Sequence, residues 1–93
     1  MEERVRTLDD IRRTIKAARD SVWVIGDEIE KLTAGQTANK ERKSNIERNV
    51  AHLKIVVADQ AIVDSGEDIT DLQAAITAGE AKLAEDIWTT QGE

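Results

Sequence analysis

The sequence of 93 residues contains no cysteine, no proline, no phenylalanine and no tyrosine, and Trp23 and Trp88 are its only tryptophans. Without cysteine the chain can form no disulfide, no thiolate metal site and no cysteine nucleophile, and it suits a reducing compartment. Proline removes a backbone donor and clashes with the preceding helical turn, so its absence leaves long helices uninterrupted. The composition therefore favours an all-helical fold.

Long apolar segments are also missing. No apolar run approaches the roughly 20 residues that a membrane-spanning helix needs. No apolar signal region follows residues 1–4. A chain of this length has room for one domain, residues 1–93, with a modest core. We expect a cytoplasmic protein without a membrane partner.

A hydrophobic repeat near the N-terminus is the strongest positive signal. Apolar residues recur there in alternating steps of three and four: Leu8, Ile11, Ile15, Ala18, Val22, Ile25, Ile29 and Leu32. This spacing is typical of a helix that supercoils against another helix, as in a coiled coil. Thr7 is a suitable N-cap and Gly35 a suitable terminating residue, so the pattern predicts a helix over residues 8–34.

Two further helices are expected. The short connection after Gly35 and a 3–4 apolar spacing predict an antiparallel second helix over residues 38–63. It carries two apolar stripes, which are Ile46, Val50, Leu53 and Val57, then Ala51, Ile55, Ala58 and Ile62. A capping box that begins at Thr70 predicts a third helix over residues 70–88. Gly79 falls on its core-facing side, where it either permits close backbone approach or weakens the helix.

We therefore predict an all-α fold, an antiparallel three-helix bundle made of a long helical hairpin and a third helix. Its core residues share the apolar positions of these repeats. They are Leu8, Ile11, Ile15, Val22, Ile25, Ile29, Leu32, Ile46, Val50, Leu53, Val57, Ile62, Leu72, Ile76, Leu83 and Ile87.

Charge is unevenly distributed along the chain. Residues 1–58 carry 12 Lys and Arg against 10 Asp and Glu, whereas residues 59–93 carry 1 basic and 9 acidic residues. Acidic residues of the first helix (Asp27, Glu28, Glu30) would face basic residues of the second (Lys40, Arg42, Lys43, Arg48) in an antiparallel hairpin. The basic start of the first helix would face Asp59 and Asp64. This arrangement favours the antiparallel register, although each exposed pair is weak.

Residues that could carry chemistry are few. The sequence has no Gly-rich phosphate loop, no Ser-His-Asp set and no metal cluster. His52 is the only histidine, with no carboxylate pair placed to share a metal. The acidic loop at residues 64–68 lacks the spacing of a calcium loop. We expect no catalytic activity, no metal and no cofactor.

Two interpretations of function remain open. In the first, the protein is a non-enzymatic interaction protein that self-associates or docks on a partner helix. Its interface would include Trp23, Gly26 and Trp88, where Trp23 and Gly26 form a notch with an aromatic wall. Alternatively, the third helix covers Trp23.

In the second interpretation, the protein is an oligomer that binds a small anionic ligand such as a nucleotide. The pocket would lie between subunits and would be formed by basic and ring-bearing side chains: Arg12, Arg13, Lys16 and Arg19, with Trp23 or His52. This requires the arginines to converge on a cleft, whereas the first interpretation leaves them solvated or paired with Asp59 and Asp64. The basic stripe has no interleaved aromatics, and the chain is acidic, so nucleic-acid binding is not expected.

Two segments resemble a group of small, uncharacterised helical proteins of tailed bacteriophages. The first is RNVAHLKIVVA at residues 48–58, which matches an R-N-V-x-H-L pattern, and the second is DLQAAITAG at residues 71–79. The resemblance implies a phage protein that is part of the virion or acts on the host. Some short helical phage proteins sequester nucleotide messengers of bacterial immunity as oligomers. The resemblance identifies no binding residue.

Overall fold

The computed structural model describes residues 7–88, which form four helices. They are α1 (Leu8–Thr33), α2 (Lys40–Ala58), α3 (Gln60–Ser65) and α4 (Thr70–Leu83). The three longer helices pack against one another, and the short α3 contacts α1 and α2. The described residues contain no strand, so the predicted all-α bundle is confirmed.

Side-chain contacts between the long helices show in which direction each helix runs. Glu28 of α1 contacts Asn45 of α2 close to the connection, as in an antiparallel hairpin. The pairs Arg12–Glu67 and Arg19–Asp71 advance together along the chain, so α4 runs parallel to α1. The bundle therefore runs up, down and up, as predicted.

Helix α1 has the caps that its sequence predicts. The Thr7 hydroxyl accepts a hydrogen bond of 3.1 Å from the Asp10 N–H. At the other end Gly35 adopts the left-handed conformation, with φ of 99°, and its N–H donates to the Leu32 carbonyl. A side chain at Gly35 would be strained in this conformation, so glycine ends the helix there.

The predicted second helix over residues 38–63 is wrong at its start and is divided in two. Asn39 caps α2, so the helix begins two residues later than predicted; the Asn39 side chain accepts from the Arg42 N–H at 2.9 Å. Asp59 has an extended backbone, with ψ of 117°, and its carboxylate accepts from the Ala61 N–H. Aspartate satisfies free N–H groups at a helix start, so a cap inside a continuous apolar pattern interrupts the helix.

The third predicted helix is shorter than expected and has a different cap. Asp68 accepts hydrogen bonds from both the N–H and the hydroxyl of Thr70, at 3.0 and 2.6 Å, and so performs the capping expected of Thr70. Helix α4 ends at Leu83 instead of residue 88. Trp88 lies half-buried against the core, and its indole N–H donates to the Lys82 carbonyl.

The core occupies the space between α1, α2 and α4. Its buried residues are Ile11, Ile15, Ala18, Ile25, Ile46, Val50, Leu53, Val56, Ile62, Leu72 and Ala75. Other predicted positions pack partly buried around them: Val22, Ile29, Leu32, Val57, Ile76 and Leu83.

Several predicted apolar positions are exposed. Leu8 and Ile87 lie at the ends of the bundle and are 45% and 43% exposed. In the second predicted stripe Ile62 is buried as expected, whereas Ala51, Ile55 and Ala58 face solvent and Ile55 is 72% exposed. Helices α1 and α4 contact the same side of α2, so its outer side has no neighbour within residues 7–88.

Candidate interaction surface

A second stripe with heptad spacing runs along α1, on the side away from the core. Its members follow one another in steps of four and three, and every one of them is exposed. We call this stripe the α1 outer face; it consists of Arg12, Lys16, Arg19, Trp23, Gly26, Glu30 and Thr33. Residues at this spacing lie in line along one side of a helix.

Trp23 is the largest side chain of the α1 outer face and is 68% exposed. Gly26 lies one turn further along the same side. A Cβ atom built on Gly26 would meet nothing within 4 Å. The predicted notch of Trp23 and Gly26 therefore lies on the surface, and α4 does not cover the indole.

Two arginines of the α1 outer face connect α1 to the start of α4. Arg12 Nε lies 3.3 Å from Glu67 Oε2, and Arg19 Nε lies 2.7 Å from Asp71 Oδ2. Arg19 also donates to the Asp68 carbonyl. The hydrogen bond to Asp71 raises the pKa of Arg19 above its ordinary value.

Arg12 and Arg19 pair with Glu67 and Asp71, and neither of them pairs with Asp59 or Asp64 in the described part of the chain. Asp59 caps α3, and Asp64 accepts a hydrogen bond from Gln60. Glu67, in the loop after α3, lies beside Arg12.

The six residues predicted to bind an anion do not meet at one place. Arg13 lies 3.9 Å from Asp10 on its own helix, and His52 is exposed on α2. Lys16 forms no ion pair with any residue that the structure describes. Arg12 and Arg19 meet carboxylates instead of the walls of a cleft.

A buried polar cluster lies between α1 and α2. Glu28 is 7% exposed; its Oε2 accepts from Asn45 Nδ2 at 2.8 Å, and its Oε1 lies 3.4 Å from Arg42 Nε. Glu28 Oε1 and Arg42 Nε are therefore close enough to form an ion pair. Neither of these two buried atoms makes a well-formed hydrogen bond in the described part of the chain. The pair Glu28–Arg42 confirms part of the charge pairing predicted for the hairpin.

Two depressions lie near this cluster. A cleft of about 190 Å³ is lined by Glu28, Lys31, Asn39, Glu41, Arg42 and Asn45. A larger one of about 500 Å³ follows the polar start of α2 and is lined by Lys40, Glu41, Ser44, Asn45, Glu47 and Arg48. Neither includes a residue predicted to bind an anion.

The sequence pattern did not predict that Glu28 and Asn45 would form a buried polar contact. Glu28 follows Ile25 by three residues, so helical spacing places it at the edge of the core stripe. Asn45 directly precedes the buried Ile46, so it also lies beside the core stripe of its helix. One signal in the sequence could have predicted the contact: Glu28 is an acidic residue at the edge of an apolar stripe, and the antiparallel hairpin places Arg42 opposite it.

Over residues 7–88, no group of three or more acidic, histidine or cysteine side chains is arranged to hold a metal ion. The same part of the chain has no helix with the length and apolar character needed to cross a membrane. No protein-family model, curated protein or solved structure matches the chain.

Proposed function

We propose that this chain is a non-enzymatic helical interaction protein that associates with copies of itself through the α1 outer face. The observation that carries the proposal is the exposure of Trp23, which is 68% in a helix whose opposite side is buried in the core. Covering the exposed two thirds of such an indole is worth about 3 kcal/mol per copy.

The way in which α1 is held also supports this function. Thr7 and Gly35 cap its ends, and its buried stripe packs on two helices. An interface formed on a fixed helix loses little conformational entropy on association. The α1 outer face is therefore preorganised for binding.

The charges favour a protein contact over the binding of a small anion. Arg12 and Arg19 already pair with Glu67 and Asp71. An anionic ligand at these arginines would lie beside the carboxylates of Glu67 and Asp71, which repel it, in a protein whose net charge is −6. A second protein surface can pack on Trp23, the apolar centre of the α1 outer face, without breaking either of these two ion pairs.

The resemblance of residues 48–58 to phage proteins extends this proposal to a setting. On that basis the self-associating protein would act in a virion or in the cytoplasm of an infected cell. The α1 outer face lies outside the resembling segments, so the self-association does not depend on this assignment.

Sedimentation equilibrium on three proteins tests the proposal. We expect the wild type to form a species heavier than the chain mass of 10.3 kDa, in a concentration-dependent way. Trp23→Ala should weaken this association at least tenfold. Ile55→Ala is the matched control, because Ile55 is 72% exposed on α2, away from the α1 outer face. A wild type that stays monomeric, or an equal effect of the two substitutions, would contradict the proposal.

A further inference from the structure

Two properties of the α1 outer face are not explained by the fold of one chain. Glycine weakens a helix interior, yet Gly26 lies in the middle of α1 with open space above it. Nothing in the bundle approaches its backbone there. At Gly79 of α4, by contrast, an added Cβ would meet Val50. Gly26 therefore lacks the internal packing reason that Gly79 has.

The second property is the order of charges along the face. Arg12, Lys16 and Arg19 precede Trp23, and Glu30 follows Gly26. Glu30 forms no ion pair with any residue in the range 7–88. A face that is basic at one end and acidic at the other is complementary to a reversed copy of itself.

The register of such a pair follows from helix geometry. When two helices with heptad spacing pack antiparallel, the numbers of any two residues that face each other add up to the same total. If Trp23 faces Gly26 of the second copy, Arg19 faces Glu30 of that copy. The same register brings Lys16 opposite Thr33. One register therefore explains the glycine and the tryptophan together and places Arg19 opposite Glu30.

We propose that two copies of the chain dock antiparallel through their α1 outer faces, with each Trp23 seated over Gly26 of the other copy. Arg19 of each copy pairs with Glu30 of the other. The two contacts are related by a twofold axis, so the assembly closes as a dimer. This inference rests on the self-association proposed above and adds its orientation and register.

The neighbouring helix leaves room for this dimer and orients Arg19. Asp71 and the Asp68 carbonyl accept from two of the five N–H donors of the Arg19 guanidinium. The remaining donors can reach a second carboxylate. Ala78 lies seven residues after Asp71, hence on the same side of α4, and it is exposed and small. A second α1 can therefore approach beside α4.

Charge reversal in two separate variants tests the register. Arg19→Glu alone places two acidic residues opposite each other, and Glu30→Arg alone places two basic residues opposite each other. We expect each variant by itself to associate at least tenfold more weakly than the wild type. When the two are mixed, both contacts regain opposite charges, so heterodimers should form. Native mass spectrometry separates them from homodimers by mass.

The folded state of each variant is checked by circular dichroism before mixing. Arg19→Gln is the control for loss of the Arg19–Asp71 pair, because it removes that pair without adding negative charge. If Arg19→Glu does not fold, Gly26→Leu replaces it. The leucine side chain occupies the proposed seat of Trp23 at an exposed position, and it should abolish the dimer while leaving the helical signal intact.

Distinct results separate this inference from the function on which it rests. A wild-type dimer that persists in both single variants, or variants that stay monomeric on mixing, would overturn the antiparallel register but leave self-association in place. A wild type that is monomeric at all concentrations would overturn both. Heterodimers that appear only in the mixture support the register.

Discussion

Gly79 of α4 lies against Val50 of α2 so closely that a Cβ atom added at Gly79 would be 2.5 Å from Val50 Cγ2. The γ2 carbons of Ile25 and Ile46 would lie 3.4 and 3.5 Å from the same atom. The absence of a side chain therefore lets the backbone of α4 approach the other two long helices. The sequence left close approach and a weakened helix as alternatives at this glycine, and the structure shows close approach.

Gly79→Ala should destabilise the fold by about 1–3 kcal/mol, the typical cost of an extra methylene in a packed core. Alanine is the better helix former by about 1 kcal/mol, and the clash with Val50 outweighs this gain because a β-branched side chain has few alternative rotamers. Urea denaturation measures the change. In the double variant with Val50→Ala, the two costs should be less than additive, and strict additivity would contradict the contact.

Gly26→Ala should have the opposite effect on the isolated chain. An added Cβ meets nothing within 4 Å at Gly26. The better helix propensity of alanine should therefore raise the free energy of unfolding by about 1 kcal/mol. Urea denaturation at a concentration where the chain is monomeric measures this. In the proposed dimer the same methyl group meets Trp23 of the second copy, so association should weaken while the monomer gains stability.

Arg42→Met should destabilise the hairpin by about 1–3 kcal/mol, because it leaves the buried Glu28 carboxylate without its cation. The Glu28 side chain is 9% exposed, so water screens little of the loss. Thermal unfolding compares this variant with Lys31→Met, which removes an exposed pair with Asp27 on the surface of α1. An equal effect of the two substitutions would show that burial of Glu28 does not matter.

Asp68→Ala should lower the Tm at neutral pH by removing the cap of α4. Hydrogen bonds from the Thr70 hydroxyl and N–H lower the pKa of Asp68 below its ordinary value of 3.8. The stability that the cap contributes is therefore complete above pH 3.8 and is lost as the pH falls through the lowered pKa.

The Tm difference between wild type and Asp68→Ala should accordingly be constant from neutral pH to about pH 5 and shrink in stronger acid. Thermal scans across this range measure it. A difference that persists unchanged at pH 2 would contradict capping by the ionised carboxylate. Thr77→Ala is a control, since its hydroxyl donates to the Gln73 carbonyl within the same helix.

The fold was predictable where a periodic pattern coincides with helix caps. Helix α1 satisfies both conditions, so its range was predicted to within one residue. The break at Asp59 was not found, because the apolar pattern around it continues through Ile62. An aspartate cap decides this break through one local hydrogen bond, which periodicity does not detect.

The candidate surface was predicted less well than the fold. Trp23 and Gly26 were selected as one notch, and they do share an exposed face. The interface role of Trp88 stays a prediction; its indole N–H donates to the Lys82 carbonyl at the end of α4. The partners of Arg12 and Arg19 depend on how the loop after α3 turns, and the sequence pattern contains no signal for that turn.

In the proposed dimer a second copy of the chain covers Trp23, so Trp23 fluorescence reports on the contact itself. In Trp88→Phe, Trp23 is the only tryptophan, because the sequence has two. We predict that its emission shifts to shorter wavelength and its quenching by acrylamide decreases as concentration rises, in step with the mass measured by sedimentation. If the mass rises while Trp23 stays fully accessible to acrylamide, the copies meet elsewhere and the account is wrong.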